Sequence, residues 1–458
     1  MKKTILFLAL STVFACSGTK NDISPTAILI TNVNIVDVSD GNLQENMQVV
    51  IDSGTIKIIS EAIDHAKAYP VQIDGTGQYL IPGLAEMHAH IPEPPAAQQR
   101  IEETLFLYLS NGITTIRGML GHPSQLELRR RAKDGSLISP RILVSSPSLN
   151  GRSASTKEQV INLVNLYKEE GYDFLKIHPG VPLEAFDQIV QSAREVDIPF
   201  AGHVPVEVGI RHALASKYAS IDHVDGYLEG LVPDSEGVSP SENGFFGYNF
   251  TPLADTSLID DLVDLTKENQ VWVVSTQSLF ERWFAPISSD ELLQQPEMKY
   301  MPASTLENWK KSKDGMSGPN SNLNKEQWEE FIAIRQQLIR ALQSNGHGLL
   351  LGSDAPQVFN VPGFSIHHEI QGLIRAGLTP LEILQSGTIN PARFFGMENI
   401  FGEVKEGLQA DLVLLQANPL EDVSALKLVS GVIVNGKWLS KKTIDEKLDE
   451  IAKNAKDN

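Results

Sequence analysis

Cysteine is all but missing from this chain of 458 residues: Cys16 is the only one, so no disulfide forms within it. Positive charge is scarce too. Against 57 Asp and Glu stand 38 Lys and Arg, giving a formal net charge of −19. A field of that sign repels phosphate backbones and anionic headgroups, which excludes nucleic acid as a partner. Long apolar runs are lacking: no segment approaches the roughly 20 apolar residues of a spanning helix. No glycine-rich loop opens a helix, which counts against phosphate and nucleotide binding. What is present is a globular composition, 41% hydrophobic, on a chain long enough for one large domain and a smaller one. A small-molecule substrate fits these limits, and nothing in them addresses oligomeric state.

The N-terminus reads as an export signal over residues 1–16, with Met1-Lys2-Lys3 ahead of the apolar run Thr4 to Ala9 and small residues near Cys16. Val13-Phe14-Ala15-Cys16-Ser17 resembles a bacterial lipobox, whose cysteine is acylated, although Phe14 stands where that pattern has a small residue. Ordinary signal cleavage is the alternative. Residues 17–26 are polar and suit a tether. The expected product is an exported lipoprotein facing the periplasm or exterior, touching the membrane only through its N-terminal lipid.

From Ile28 to Pro82, β-branched runs alternate with turns such as Ser39-Asp40-Gly41 and Ser53-Gly54, a hairpin pattern. The pattern returns at Ala410–Leu415 and Gly431–Gly436. The expectation is a small β-sandwich domain formed by both chain ends, residues 27–80 and 401–440. Between them, residues 81–400 alternate strand-like runs with helical stretches, among them Ile113–Ile116, Ile142–Ser145, Phe174–Ile177, Phe200–Val204, Ser220–Val224, Val271–Ser275 and Gly348–Gly352. About eight such units point to an α/β fold of the (β/α)8 TIM-like barrel type, with a doubly wound open sheet as the alternative. Residues 280–325 carry Trp283, Phe284, Tyr300 and Trp309 and read either as a lid over the barrel mouth or as surface decoration. Residues 441–458 space Ile444, Leu448, Ile451 and Ala455 as an amphipathic terminal helix.

In Glu86-Met87-His88-Ala89-His90, two histidines two apart on a strand share a face and can grip one cation. By itself such a pair is as readily a buried, hydrogen-bonded one. Lys176, His203, His223 and Asp354 then fall at the ends of successive strand-like runs, where barrel enzymes assemble their sites. Each has a plain reading alone: a snorkelling lysine, satisfied core histidines, a turn-capping aspartate. Together those readings require repeated coincidences of position and order.

That ordered set resembles the amidohydrolase superfamily. So do Leu80–His90, Gly112-Ile113-Thr114-Thr115-Ile116-Arg117, Leu351–Ala355 and Gly407–Val413. Ile374–Pro380 and Thr388–Ala392 place it nearest the imidazolonepropionase-like and Xaa-Pro-dipeptidase-like branch. The resemblance covers nearly all of the expected mature chain. It implies a metal-dependent hydrolase with two divalent ions, zinc by default, with manganese, cobalt or iron suiting the same ligands. His88, His90 and Asp354 would hold one ion, and His203 and His223 the other. Lys176 would take up carbon dioxide as a carbamate bridging both, since burial beside cations depresses an ammonium pKa.

The implied chemistry is cleavage of a C–N amide bond by a metal-bridging hydroxide, with Asp354 as general base and acid. A dipeptide of the Xaa-Pro kind or an N-acyl amino acid is the favoured substrate. A cyclic amide or imidazolone ring is the alternative within the fold, and an inactive exported binding lipoprotein the alternative outside it. Three further residues are candidate substrate contacts. His178, two beyond Lys176, either points into the site or fills the next barrel layer. Tyr227 binds a substrate carboxylate or oxyanion, or packs. Arg117 pairs with a substrate carboxylate, although Gly118 follows where the family pattern has aspartate. One expectation is testable at this level: Cys16→Ala should move the protein from the membrane to the soluble fraction, and retention in the membrane fraction would count against the lipid anchor.

Overall fold

The computed structural model describes residues 23–317, 321 and 323–457. The expected signal, Cys16 and most of the tether lie outside the described residues. Five strands come first: β1 (Ile28–Val36), β2 (Leu43–Asp52), β3 (Thr55–Ser60), β4 (Val71–Asp74) and β5 (Tyr79–Pro82). Eight shorter ones follow: β6 (Leu84–Ala89), β7 (Ile113–Gly118), β8 (Arg141–Val144), β9 (Leu175–Ile177), β10 (Phe200–Gly202), β11 (Ser220–Asp222), β12 (Trp272–Val274) and β13 (Leu349–Leu350). β14 (Leu412–Leu415), β15 (Val429–Val434) and β16 (Lys437–Ser440) come last.

The two chain ends meet in one sheet of order β16-β15-β14-β5-β1-β2-β3, with β4 on β1. β14 runs antiparallel to β5, Leu412 opposite Pro82 and Leu414 opposite Leu80. Hydrogen bonding thus joins all eight strands into a single sheet, where two separate sheets of a sandwich were expected. It has its own apolar core, in which Ile28, Ile30, Ile35 and Val49 from one end of the chain pack with Leu412 and Ile433 from the other. Neither end could bury these residues alone, which is why segments more than 300 residues apart pair.

The strands between are all parallel, in the orders β6-β7-β8 and β9-β10-β11-β12-β13. Bridges Ser145–Phe174 and Leu149–Ile177 join the two groups at one seam, and Ala89–Ala355 at the other. The order is sequential, without the reversal that a doubly wound sheet requires. Helices connect the strands, and their ends are written locally. Lys157–Glu170 starts in a capping box between Thr156 and Gln159 and stops at Gly171, whose φ of 82° only glycine adopts readily. Strands β6, β9, β10 and β11 are buried along their whole length, as parallel strands covered on both faces are.

Residues 277–317 fold into helices, Gln277–Arg282, Ser289–Leu293 and Ala303–Ser317. The helix Lys441–Asp457 buries Ile444, Ile451 and Ala455. No helix among the described residues is long and apolar enough to cross a membrane.

The joint between the two parts is Gly83, where a Cβ would lie 2.0 Å from Thr114 Oγ1. Gly83→Ala should therefore cost about 1–3 kcal/mol, the range for overpacking a core. Urea unfolding should show the lower midpoint.

Candidate metal centre

Every candidate ligand sits at or just past the C-terminal end of a strand. His88 lies near the end of β6 and His90 just past it, Lys176 lies within β9, His203 follows β10, His223 follows β11 and Asp354 follows β13. The chain leaves β11, β12 and β13 through left-handed backbone, with φ of 66° at His223, 54° at Val224, 42° at Thr276 and 61° at Asp354. A β-branched residue in that region costs of order 1–3 kcal/mol, so Val224 and Thr276 are held there by their surroundings. Arg335 does much of the holding. Buried on the helix Lys325–Asn345, it donates to the carbonyls of His223 (2.9 Å) and Ser275 (3.1 Å) and to Gln277 Oε1 (2.9 Å).

His90 Nε2 lies 2.7 Å and His88 Nε2 3.6 Å from Asp354 Oδ1. With Asp354, the two histidines offer three ligand atoms all within 4.8 Å of one another, a group that can hold a cation. The rings of His203 and His223 lie 4.6 Å apart, and His223 is 4.5 Å from His88. His203 Nδ1 is 3.0 Å from Asp225 Oδ2, and His223 Nδ1 is 2.8 Å from Thr276 Oγ1. With Nδ1–H donating in each contact, Nε2 is left free to bind a metal. Burial, joined by the nearby lysine and histidine charges, holds His88 and His223 well below the usual imidazole range and His203 at about 3. All three are neutral, the state a metal needs.

Lys176 is buried, and its Nζ has no hydrogen-bond partner. Its nearest carboxylate oxygen is Asp222 Oδ2 at 3.8 Å. Burial lowers its pKa, with Asp222 and Asp354 opposing. Asp222 Oδ2 and His88 Nδ1 are likewise without a hydrogen bond, 3.4 Å apart. Three orphaned polar atoms in a buried cluster are costly as they stand, and cations among these donors would relieve the strain. The donor set fits a metal centre.

Two acidic groups frame it that the sequence reading did not single out. Glu86 accepts the N–H of His88 (3.1 Å) and of Ser353 (2.7 Å), tying β6 to the turn that carries Asp354. Burial pushes it up to about 8. Asp222 binds Arg117 and faces His88 and Lys176. Its position beside His223 was a usable signal, since acids next to candidate ligands are natural partners for them.

The placement of the remaining candidates corrects two expectations. Arg117 is fully buried, donating to Met87 O (2.7 Å), Ser220 Oγ (2.8 Å) and Asp222 Oδ1 (2.8 Å), and it does not line the cavity that holds the histidines. Its length carries it inward between strands. Tyr227 is fully buried too, its hydroxyl 2.8 Å from Thr266 Oγ1, because the turn after His223 swings it toward the helix Ile259–Glu268. His178 does line the cavity, its ring 4.9 Å from that of His203. That cavity, of about 470 Å³, contains His88, His90, Lys176, His203, His223 and Asp354. Trp283 from the helical excursion and Asn243 to Phe246 from the segment after β11 also line it. Phe246 lies 5.4 Å from His223 and 5.8 Å from His203, ring to ring.

The profile of the amidohydrolase family matches residues 79–439. The chain belongs to that family, hydrolases acting on carbon–nitrogen bonds. It is similar to the ochratoxinase of Aspergillus niger, 23% identical over 87% of this chain and 84% of that one. Among solved structures it resembles a bottromycin amidohydrolase, with a TM-score of 0.70 at 21% identity over 94% of this chain and 91% of the other. It also resembles a putative prolidase from Bifidobacterium longum, with a TM-score of 0.65 at 22% identity over 93% and 98%.

Removing Arg117 would strand Asp222 as an uncompensated buried charge. Arg117→Met should destabilise the fold by about 3–5 kcal/mol, read from denaturant unfolding.

Proposed function

We propose that this chain is a binuclear metal-dependent amidohydrolase that cleaves an amide C–N bond in a small substrate, a dipeptide of the Xaa-Pro kind or an N-acyl amino acid. We further propose that the two parallel strand groups close into a (β/α)8 barrel whose mouth is this site, and that the protein works outside the cytoplasm on an N-terminal lipid. The observation that carries the catalytic reading is Lys176: a buried amine, without a hydrogen bond, in a cavity with five histidines and Asp354.

A neutral amine in that position is the form that adds carbon dioxide, and the resulting carbamate would supply the anionic oxygens that two cations require. His88, His90 and Asp354 would hold one ion, and His203 and His223 the other, with Lys176 shared between them. Zinc suits imidazole, carboxylate and carbamate ligands, as do manganese, cobalt and iron. Bound there, the ions supply Lewis acidity that makes a water nucleophilic near neutral pH and polarises the scissile carbonyl.

The protein's own groups do the rest. Asp225 and Thr276 fix the tautomers of His203 and His223 through their Nδ1 atoms. Asp354 Oδ1 faces His88 and His90, and its Oδ2 lies 3.9 Å from His223 Nδ1. From there the carboxylate takes the proton of the attacking water and returns it to the leaving nitrogen. Phe245, Phe246 and Trp283 shield the cavity from bulk water and present an apolar face to the substrate.

Elemental mass spectrometry of protein expressed with bicarbonate tests the reading. About two metal equivalents per chain are expected, falling to one or fewer in Lys176→Ala with loss of amidase activity. Metal content indifferent to Lys176→Ala would refute the bridged pair.

A further inference from the structure

Beside the metal cavity lies a second, larger one of about 680 Å³. The boundary between them is thin, because Val204, Val206 and Asn243 line both. Val204 is buried, and Asn243 donates to Glu229 Oε1 at 2.7 Å, whereas Val206 stands 40% exposed. A side chain that meets both cavities and solvent marks a ridge open from above. One molecule can therefore lie across Val206 with a part in each cavity. On the near side of the ridge are the candidate ligands, with Phe245, Phe246 and Trp283 beside them. On the far side the lining is Val208, Ile210, Val232, Val238, Phe250 and Leu258.

The charged groups of the second cavity stand at its edge or are already engaged. Arg211, His212 and Asp234 are exposed. Glu229 is bound to Asn243 through Oε1, and its Oε2 is shielded from solvent. The enclosed part therefore offers apolar surface and no charge, and what such walls recognise is a group whose arrival releases water from them. We propose that the second cavity is a subsite for an uncharged apolar substituent of the substrate, a linear alkyl group joined to the scissile amide by a chain long enough to cross Val206. The group extends from the acyl carbon or from the amine, and the two arms of one experiment separate these. The inference rests on the amidohydrolase reading above, because it treats the metal cavity as the place of cleavage.

The acyl arm is acetyl-, butanoyl-, hexanoyl- and octanoyl-proline; the amine arm is the N-acetyl derivatives of alanine, norvaline, norleucine and 2-aminooctanoic acid. Their kcat/KM values are measured on the metal-loaded enzyme. Calorimetric Kd values of the product alkanoates and amino acids report binding without turnover. In one arm both quantities should improve about threefold to fourfold for each methylene that enters the cavity, the worth of burying one. The arm that rises assigns the flank. The ratio of the longest to the shortest member should fall tenfold or more in Val238→Asp, which sets a charge in the second cavity alone. If that variant folds poorly, Val232→Thr, an isosteric change in the same wall, should lower the ratio in the same direction. Kd values flat with chain length in both arms overturn the subsite. So does a rise that a folded Val238→Asp leaves intact, since the chain would then lie on Phe246 and Trp283 instead. A Val238-dependent rise in product affinity without cleavage of any member would uphold the subsite and count against the amide reading.

Discussion

Arg117 on β7 and Asp222 on β11 are both fully buried, and their contact at 2.8 Å crosses the interior beneath the site. An isolated charge there would cost several kcal/mol, so the pair exists only as a pair. Arg117 spends its other donors on Met87 O and Ser220 Oγ, and Ser220 in turn donates to Asp222. The carboxylate is thereby fixed with one oxygen used and the other turned toward His88 Nδ1 and Lys176 Nζ. Burial raises the pKa of Asp222, and the charges of Arg117 and Lys176 more than reverse this, so it stays ionised. An anion held in that position faces the first histidine of the site and attracts the lysine.

The same economy recurs around the mouth. Two of the turns that carry ligands are pinned by buried polar side chains from other elements: Glu86 pins Ser353 ahead of Asp354, and Arg335 pins His223 and the turn at Ser275. Left-handed backbone at His223, Val224, Thr276 and Asp354 is the local consequence. These conformations are unfavourable singly and persist because the hydrogen bonds around them are numerous and dry. A rigid mouth with neutral imidazoles and a deprotonation-prone lysine is the electrostatic state that favours cations over protons.

The segment between β11 and the helix Ile259–Glu268 covers part of this centre. It brings Phe245 and Phe246 over the histidines and, through Asn243 and Glu229, builds the wall between the two cavities. Gly247 belongs to that design: its φ is 81°, and a Cβ there would lie 2.9 Å from Glu229 Oε2. The aromatic cluster continues from Phe245 to Phe284 and Trp283, so the roof rests on the helical excursion after β12.

Much of this was legible from residue order. The β-branched runs at both ends, the alternation between them, the amphipathic tail and the six candidate ligands could be read directly, because strand ends and helix caps are local signals. The direction of a long side chain is not local. Arg117 and Tyr227 looked like substrate contacts by position, yet packing turned both inward, to Asp222 and to Thr266. Glu86, Asp225 and Glu229 looked like ordinary acids, and only burial and partners distinguish them. The sequence by itself determined which residues stand at the mouth and in what order, since period-two strands and turn residues set that. Tertiary structure alone decided which of them face the cavity and which are neutral. Those properties depend on the dielectric and the neighbours that come together only when distant segments pack.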